Sequence, residues 1–329
     1  MPISGSGGAY PYAGVVFGPD NLPYGITSYG GTSGDGVVFS LTPPVSVCKT
    51  VRCASGEWTE NVLYQFAGTP DGRMPGYGKV TFDSQGNLYG TTAVAGANCD
   101  SGTVFQMAKA GNTWTETPIY SFDFFRQPAN GYFPQHGVII DPNGNPFGTT
   151  LAGGSNNLDY GTVFELTNVP GIGWQETVVY SFQGTTDGIY PYAGLVSDSS
   201  GNLYGAASGG GGGTVFQLSP AGNTYAFTLL HSFSGQPGQN CGPWGTLTMD
   251  ASGNLYGTTK CSGANQLGNV CKLTKTQNGW VYSSLHDFAG GSDGANPTSS
   301  VAIDTNGTIY GTARLGGFQN NGVVWQIKP

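Results

Sequence analysis

Charged residues are scarce in this chain. Its 329 residues include 11 Lys and Arg against 19 Asp and Glu, which gives a net charge of −8. Runs of Ala, Leu, Glu, Lys and Arg of helical length are missing, which excludes helical bundles, coiled coils and ordinary α/β domains. So few basic residues leave no electrostatic footprint for nucleic acid or for an anionic membrane surface. We therefore expect an all-β fold that does not bind nucleic acid.

Long apolar runs are also missing. No stretch approaches the 18 consecutive apolar residues of a transmembrane helix, so we expect no membrane insertion. Residues 1–20 lack the basic and apolar regions of a signal peptide, which indicates a soluble chain that is intracellular or already processed.

The cysteines have no histidine support for a zinc site, because none of the three histidines falls at ligand spacing from a cysteine. Disulfides are the better interpretation. Cys48 and Cys53, with four residues between them, are the most secure pair, and Cys241, Cys261 and Cys271 form a second group. Disulfides in a chain poor in Lys and rich in Gly, Asn, Ser, Thr and Tyr predict an extracellular or periplasmic location.

Glycine, proline and aromatic residues are abundant instead. With 57 Gly and 20 Pro, the composition comes close to that of low-complexity disordered chains. The aromatic residues (17 Phe, 18 Tyr and 6 Trp) and a hydrophobic content of 38% are nevertheless enough to bury a large core. We therefore expect the chain to fold.

One sequence unit recurs six times along the chain. Each copy has a proline, then an aromatic-Gly pair, then Gly-x-Val followed by an aromatic residue. The prolines are Pro11, Pro75, Pro134, Pro191, Pro243 and Pro297, and the aromatic residues before glycine are Tyr24, Tyr89, Phe147, Tyr204, Tyr256 and Tyr310. Successive prolines are 64, 59, 57, 52 and 54 residues apart, so the loops between the conserved features vary in length.

Four short strands can be read in each copy, as residues 191–237 show. The predicted strands are Ala193–Ser197, Leu203–Ala207, Thr214–Leu218 and Thr224–Phe233, separated by Gly- and Asn-rich turns. Four antiparallel strands repeated six times predict a six-bladed β-propeller, because a β-solenoid needs shorter repeats and separate sandwiches need about 100 residues each. We expect a single domain over residues 1–329, with approximate repeats at 9–72, 73–131, 132–188, 189–242, 243–294 and 295–329.

Three motifs carry a resemblance to a known family. They are Gly-Asn-Leu-Tyr-Gly-Thr-Thr (86–92 and 253–259), Gly-Thr-Val-Phe (102–105, 161–164 and 213–216) and Trp-x-Glu-x-x-x-Tyr-x-Phe (174–182). The chain resembles, over nearly its whole length, the GloVer tandem repeats of bacterial secreted and surface-anchored proteins. That family is defined by its repeat, so the resemblance implies propeller-like repeats and no particular reaction. The first copy departs from the pattern with a shorter turn at Asp20, and the fifth copy has Cys271 in place of the aromatic residue.

The sixth copy ends at residues 325–329, directly after its third strand. We therefore predict 23 strands and a sixth blade that either has three strands or is completed by residues 1–6. The alternatives at this edge are a shortened N-terminus and a deliberate exchange of strands. An open edge invites pairing with another chain, including a second copy of this one.

The segments around the prolines and the glycine-rich loops should emerge on one face of the propeller. Flat rings beside amide groups suit the apolar faces and hydroxyl edges of sugars. The residues predicted to bind a ligand there are Tyr10, Tyr12, Phe133, Gln135, Tyr190, Tyr192, Trp244 and Asn296. The alternative for each ring is packing of blade against blade.

His136 is the one histidine in a proline segment, where the other copies have Ala13, Tyr77, Ala193, Gly245 and Ser299. A titratable group at this position suggests proton transfer, with His136 and Tyr77 as catalytic candidates and Lys79 nearby. The alternative is a histidine with a structural role. His231 and His286 replace the tyrosine of the outer strand.

The carboxylates give weaker indications. Asp71, Asp187 and Asp293 each precede a glycine, and Asp-Gly is a favoured turn dipeptide as well as a potential Ca²⁺ ligand. No calcium-loop spacing occurs, so we expect no cofactor and leave the metal unassigned. A glycosidase needs two carboxyls close together, but the glutamates at 60, 116 and 176 share one position in an outer strand.

Three functions follow from these patterns, and fold alone does not choose among them. The first is a propeller that binds carbohydrate or another extracellular ligand. The second is a polysaccharide-active lyase or hydrolase that uses the same face. The third is an assembly protein that polymerises by accepting a strand at the open sixth blade.

Overall fold

The computed structural model describes residues 7–44, 57–97, 101–155, 158–184, 186–235 and 240–328. Within these residues the chain is all-β and forms a six-bladed β-propeller of antiparallel sheets, as the sequence predicts. The helical structure in the described ranges consists of short 3-10 turns, among them Pro128–Asn130, Gly291–Asp293 and Phe318–Asn320.

The strands follow the repeats. The first blade contains β2 (Val16–Phe17), β3 (Pro23–Thr27), β5 (Val37–Thr42) and β6 (Thr59–Gln65), and β1 (Gly8–Ala9) pairs separately with β4 (Tyr29–Gly30). The second contains β8 (Thr81–Phe82), β9 (Leu88–Val94), β10 (Thr103–Ala110) and β11 (Thr113–Ser121), with β7 (Arg73–Pro75) added at β9. The third contains β12 (Ile139–Ile140), β13 (Pro146–Thr150), β14 (Thr162–Val169) and β15 (Gly173–Ser181).

The remaining blades keep this order. The fourth contains β16 (Val196–Ser197), β17 (Leu203–Ala207), β18 (Thr214–Ala221) and β19 (Thr224–Ser232). The fifth contains β20 (Thr248–Met249), β21 (Leu255–Thr259), β22 (Asn269–Thr276) and β23 (Gly279–Asp287). The sixth has three strands, β24 (Ala302–Ile303), β25 (Ile309–Ala313) and β26 (Val323–Ile327). In the described residues, five blades of four strands and one of three account for the predicted 23, while β1, β4 and β7 are three further strands. Residues 1–6 lie outside the described residues.

The chain divides into two compact units. One comprises Met1–Pro128, Tyr132–Pro146 and Leu166–Glu176, and the other comprises Ala129–Gly131, Phe147–Glu165 and Thr177–Pro329. The core of the first is built around residues such as Tyr24, Leu88 and Phe105, and that of the second around residues such as Tyr204 and Leu255.

The aromatic-Gly pair and the downstream aromatic residue form one packing unit. The ring of Phe105 lies over Gly90 on the neighbouring strand, where a β-carbon would come 2.5 Å from the ring. Gly205 and Phe216 repeat this contact in the fourth blade. In the fifth blade the smaller Cys271 occupies the aromatic position. At Gly25, Gly90, Gly205 and Gly311 the glycine is therefore needed to leave space for the ring.

The recurring proline packs against the glycine that precedes the third strand of the blade before it. A β-carbon on Gly36, Gly102, Gly161 or Gly268 would lie within 2.6 Å of the Cδ of Pro75, Pro134, Pro191 or Pro297 respectively. All four glycines have φ between 91° and 102°, a region that side chains disfavour. The glycine of the Gly-x-Val-aromatic motif and the proline of the next repeat thus form a contact between adjacent blades.

The first strand of the fourth blade is shorter than predicted, because β16 begins at Val196 rather than Ala193. The backbone at Ala193 and Gly194 bonds to neighbouring blades instead. The carbonyl of Ala193 accepts from Thr149 Oγ1 (3.1 Å), and the N–H of Gly194 donates to Thr246 Oγ1 (3.1 Å).

One disulfide joins Cys241 to Cys261. Cys271 is a buried free thiol, and burial raises its pKa to about 12. The predicted pair of Cys48 and Cys53 lies outside the described residues. No helix among the described residues is long and apolar enough to span a membrane.

Candidate ligand-binding site

The residue before each proline has an unusual backbone conformation. Tyr10, Met74, Phe133, Tyr190 and Asn296 have φ between 53° and 59°, although none is a glycine. Such left-handed conformations cost on the order of 1–3 kcal/mol and persist only where the surroundings enforce them. The fifth blade has Gly242 at this position.

Backbone hydrogen bonds between adjacent blades enforce this conformation. The N–H of Phe133 donates to the carbonyl of Ser101 (2.9 Å), and that of Tyr190 donates to the carbonyl of Tyr160 (2.9 Å). The accepting residue in each case directly precedes the glycine against which the next proline packs. The contact that joins two blades therefore also sets the direction of the side chain before the proline.

Four tyrosines form an exposed cluster in the first unit, the tyrosine cluster (Tyr10, Tyr12, Tyr29 and Tyr77). The ring of Tyr10 stacks on Tyr12 at 6.0 Å and meets the edge of Tyr29 at 5.4 Å, while Tyr12 lies 5.0 Å from Tyr77. Their exposed fractions are 61% for Tyr10, 54% for Tyr12, 39% for Tyr29 and 45% for Tyr77. The cluster is a continuous aromatic surface held by ring contacts.

Phe133 belongs to a second aromatic group, between the second and third blades. Its ring packs edge-on against Tyr132 (4.9 Å), which packs against Phe124 (4.8 Å), and Phe124 contacts the exposed Phe125 (4.9 Å). The half-buried ring of Phe133 therefore packs against the buried ring of Tyr132.

The segments that carry Tyr77 and His136 touch. The N–H of Tyr77 donates to the carbonyl of Gln135 (2.7 Å), and a β-carbon on Gly78 would come 2.6 Å from the Cα of His136. The structure therefore brings the predicted residues Tyr77, Gln135 and His136 into one place.

His136 itself is buried, with 8% of its surface exposed, and its Nδ1 has no hydrogen-bond partner among the described residues. Burial lowers its pKa to about 4, so the imidazole is neutral at pH 7. Its backbone carbonyl accepts from Thr91 Oγ1 (3.0 Å). A neutral imidazole with so low a pKa is a weaker proton acceptor than an ordinary histidine.

Tyr192 and Trp244 form a nearly parallel aromatic contact in the second unit. Their rings stack at 4.6 Å with 8° between planes, and the Lys260 ammonium lies 4.1 Å over the indole. The indole N–H of Trp244 donates to the carbonyl of Asn240 (3.0 Å). Trp244 is thus already held by three groups of the protein, and Lys260 adds a positive charge beside it.

Tyr190 and Asn296 share a backbone role in the same unit. The carbonyl of Tyr190 accepts from the N–H of Ser208 (3.1 Å), and that of Asn296 accepts from the N–H of Arg314 (3.2 Å). Both side chains are half-buried.

The carboxylates of the Asp-Gly pairs form hydrogen bonds within the loops that lead into the proline segments. Asp71 Oδ2 accepts from Tyr64 Oη (2.6 Å), and Asp187 Oδ2 accepts from Tyr180 Oη (2.7 Å). Asp293 bonds to His286 Nε2 (2.9 Å), so histidine replaces tyrosine as the partner. Each carboxylate also accepts from a loop N–H. These contacts fit the turn role of the aspartates.

Two outer-strand glutamates are half-buried between blades of the first unit. Burial raises the pKa of Glu116 to about 8, the charge of Asp71 raises it further, and a hydrogen bond from Tyr64 opposes the shift. Burial likewise raises the pKa of Glu176 to about 8, opposed by Tyr120, whose hydroxyl lies 3.4 Å from Glu176 Oε2. Both glutamates have a buried Oε1 with no partner in the described part of the chain.

No group of three or more His, Cys, Asp and Glu side chains that could hold a metal ion occurs in the described part of the chain. The absence of a cofactor stays a prediction.

Sequence reasoning missed Tyr29, Phe124, Phe125 and Lys260. Tyr29 follows the second strand of its blade, in a loop assigned to the same face, so comparing loop residues as well as proline neighbours would have found it. Lys260 follows Thr258 and Thr259, and no spacing signal links it to Trp244.

Comparisons with known proteins agree on the repeat and the fold. The model of the Gloeobacter/Verrucomicrobia repeat matches residues 2–212 and 158–329. A search of curated proteins finds no match.

Solved structures with a similar fold are distant in sequence. A putative 6-phosphogluconolactonase from Bacteroides uniformis is 12% identical, with a TM-score of 0.53 over 99% of this chain and 86% of that one. A putative oxidoreductase (glucose dehydrogenase) from Thermus thermophilus is 13% identical, with a TM-score of 0.51 over 98% of each chain. A protein of unknown function from Dyadobacter fermentans is 12% identical, with a TM-score of 0.53 over 96% of this chain and 93% of that one. At these identities the likeness shows the fold alone.

Proposed function

This chain belongs to the Gloeobacter/Verrucomicrobia repeat family, and we propose that it is a ligand-binding propeller whose ligand is carbohydrate. The tyrosine cluster is the observation that carries the proposal. Tyr10, Tyr12, Tyr29 and Tyr77 hold one another by ring contacts, yet each stays at least 39% exposed. An aromatic surface fixed before binding loses little conformational entropy when a ligand stacks on it.

The chemistry of the cluster suits sugars. Tyrosine rings cover the apolar C–H faces of a pyranose, and their hydroxyls can bond to its hydroxyl groups. A net charge of −8 favours neutral ligands over polyanionic ones. The names of two structural neighbours refer to glucose and a gluconolactone, but the proposal does not depend on them.

The second unit supplies a further set of candidate contacts in Tyr190, Tyr192, Trp244 and Asn296. Because Lys260 lies over the Trp244 indole, a sugar that stacks on that ring must displace the ammonium or use the edge of the Tyr192–Trp244 pair. We place the tyrosine cluster first because its four rings form a continuous surface and are 39% to 61% exposed.

We also propose an extracellular or periplasmic location, which the disulfide supports. A bond between Cys241 and Cys261 persists in oxidising compartments, which supports an extracellular or periplasmic protein.

Catalysis on a polysaccharide, with His136 and Tyr77 as proton-transfer residues, is the alternative. The contact between their two segments favours it. The low pKa and burial of His136 weigh against a base that must accept a proton near pH 7.

A glycan-array screen combined with a depolymerisation assay tests both functions. We expect saturable binding without released products. Tyr12→Ala should weaken binding several-fold, since an aromatic contact contributes about 0.5–1.5 kcal/mol. Phe318→Ala removes a more exposed ring from the sixth blade and is the control.

Three results decide between the alternatives. Loss of binding in Tyr12→Ala but not in Phe318→Ala supports carbohydrate binding at the tyrosine cluster. Reducing ends or unsaturated products that disappear in His136→Ala would make the protein an enzyme. If no glycan binds and no product forms, the carbohydrate proposal is wrong.

A further inference from the structure

The loop after the outer strand of the second blade is longer than its counterparts. Eleven residues separate Phe122 from Pro134, whereas eight or nine separate the equivalent phenylalanine and proline in four other loops. Those pairs are Phe66 and Pro75, Phe182 and Pro191, Phe233 and Pro243, and Phe288 and Pro297. The longer loop has Phe124 where the other four have glycine, and Phe125 follows it. Because four loops make the same connection without these rings, the connection itself does not explain them.

The two rings are exposed. We call residues 123–127 the aromatic turn; within it, Phe125 is 72% exposed and Phe124 is 42% exposed. Rings with so much surface in water contribute little to the core of the second blade. Adjacent exposed apolar side chains are instead typical of surfaces that bind another molecule.

Hydrogen bonds fix the backbone of the aromatic turn. Asp123 Oδ1 accepts from the N–H of Phe125 (3.0 Å) and from the N–H of Arg126 (2.9 Å). The N–H of Phe124 donates to Ser101 Oγ (3.0 Å), and Ser101 is fully buried. The turn is therefore formed before a ligand arrives, which lowers the entropic cost of binding.

The aromatic turn is connected to the tyrosine cluster within the first unit. The ring of Phe124 packs on Tyr132 (4.8 Å), and Tyr132 packs on Phe133 (4.9 Å). Two residues further along, the carbonyl of Gln135 accepts from the N–H of Tyr77 (2.7 Å), a member of the cluster. Both groups lie in loops that leave the blades on the same face, because each loop either follows an outer strand or joins a second strand to a third. The two aromatic groups therefore share one face of the first unit.

The chemistry of the intervening residues suits a neutral sugar chain. Phenylalanine and tyrosine rings cover the apolar faces of sugars. The half-buried Gln135 has an amide that offers both donors and an acceptor to hydroxyl groups. The charge of Arg126 is partly balanced, because its Nε lies 3.8 Å from Asp123 Oδ2. This surface therefore has apolar and hydrogen-bonding groups without a strong excess of charge.

We propose that the aromatic turn contacts the same ligand as the tyrosine cluster, and that this ligand is a glycan chain of several sugar units. The inference rests on the proposed carbohydrate binding and adds the length of the ligand. The cluster belongs to the first two repeats, whereas the turn lies between the second and third blades. Since adjacent sheets pack about 10 Å apart, the two groups are separated by on the order of one blade. A single sugar stacked on the cluster does not reach Phe125, but a chain covers both.

Chain-length dependence of binding tests the inference. The probes are the disaccharide and the hexasaccharide of cellulose, chitin, mannan and xylan, titrated into the full chain by calorimetry. We expect a hexasaccharide to bind more tightly than the disaccharide of the same series. Phe125→Ala should weaken hexasaccharide binding about two- to ten-fold, the equivalent of one aromatic contact, and leave disaccharide binding unchanged. Tyr12→Ala should weaken both.

Phe17→Ala is the matched control. Phe17 is a phenylalanine of the same unit with nearly the same exposure, 70%, and it lies at the hairpin between the first two strands of its blade, on the opposite face. This variant should bind both probes normally. Phe125→Tyr keeps a ring that can stack and should keep the affinity for the hexasaccharide. Because Phe125 is exposed, both of its variants should keep the melting temperature of the wild type.

Hydroxyl-radical footprinting locates the contact directly. Oxidation of the Phe125 ring should decrease when the hexasaccharide binds and stay unchanged with the disaccharide.

The outcomes separate this inference from the proposed function. Equal affinity for short and long chains, or a hexasaccharide affinity that Phe125→Ala leaves unchanged, would overturn the inference and leave carbohydrate binding intact. Equal weakening of both probes by Phe125→Ala would also overturn it, because a short ligand would then touch both aromatic groups. If no series binds and the glycan array is also silent, the carbohydrate proposal itself is wrong.

Discussion

The ring of Pro191 packs against Gly161 so closely that a β-carbon on this glycine would lie 2.6 Å from Pro191 Cδ. The same β-carbon would also collide with the carbonyl of Thr150. Because three other blade junctions repeat this contact, the recurrence of glycine and proline in the sequence has a steric cause.

Gly161→Ala should therefore destabilise the protein strongly. The positive φ of 94° costs an alanine on the order of 1–3 kcal/mol, and the collision with Pro191 adds to this cost. Chemical denaturation of both proteins measures the loss.

Gly171→Ala is the matched control. Gly171 has a φ of 80°, but a β-carbon there would meet nothing within 4 Å. If the two variants lose equal stability, the proline contact contributes nothing and only the backbone conformation matters.

The blade pattern could be predicted from the sequence because it depends on steric contacts that recur from repeat to repeat. Glycine under an aromatic ring and proline against glycine recur in most of the repeats, and each leaves a periodic signal. In the fourth blade β18 extends to Ala221, beyond the predicted end at Leu218. β16 begins later than predicted, because side chains of neighbouring blades bond to the backbone before it.

The candidate site could be predicted only in part. The segments that hold Tyr10, Tyr12 and Tyr77 follow from the prolines, but their contact with Tyr29 depends on the paths of two loops. The burial of His136 depends on packing against Gly78, which no spacing in the sequence reveals. Site residues that vary between repeats carry no periodic signal.

Glu116 should make the protein less stable as the pH rises. Its pKa is about 8 in the folded state, where burial and the Asp71 charge favour the protonated form, against an ordinary value near 4.5 in the unfolded chain. Between these values the folded state binds more protons than the unfolded state, so stability falls as the pH increases from about 4.5 to 8.

Glu116→Gln keeps the shape of a protonated glutamate without the titration. We expect a flatter dependence of unfolding free energy on pH and higher stability than wild type at pH 8. Glu57→Gln, at an exposed position before β6, is the control for removing a carboxylate. A Glu116→Gln protein with an unchanged pH profile would show that Glu116 titrates normally.

His136 should make the protein less stable as the pH falls. Its folded pKa of about 4 lies below the ordinary value of 6.5, so the unfolded state takes up the proton first as the pH falls. The stability that depends on a neutral His136 is present above pH 6.5 and is lost progressively towards pH 4. His136→Leu keeps an apolar volume at this buried position and should remove that loss, measured as melting temperature against pH. A wild-type loss that persists in His136→Leu would assign it to other groups.

Asp198 and Asp304 occupy the same position of the hairpin turn in two blades, but the tyrosines that donate to them differ in burial. Asp198 Oδ2 accepts from Tyr204 Oη (2.9 Å), and Tyr204 is 1% exposed, whereas the partner of Asp304 is the partly exposed Tyr310 (3.2 Å). Asp198→Ala leaves a buried hydroxyl and two turn N–H groups without their acceptor, and a buried unsatisfied donor costs about 1–3 kcal/mol. Water can replace the lost carboxylate beside Tyr310, so Asp304→Ala should cost less. Thermal unfolding of the two variants checks the order, and equal losses would mean that the turn N–H groups, rather than the buried tyrosine, set the energy of this contact.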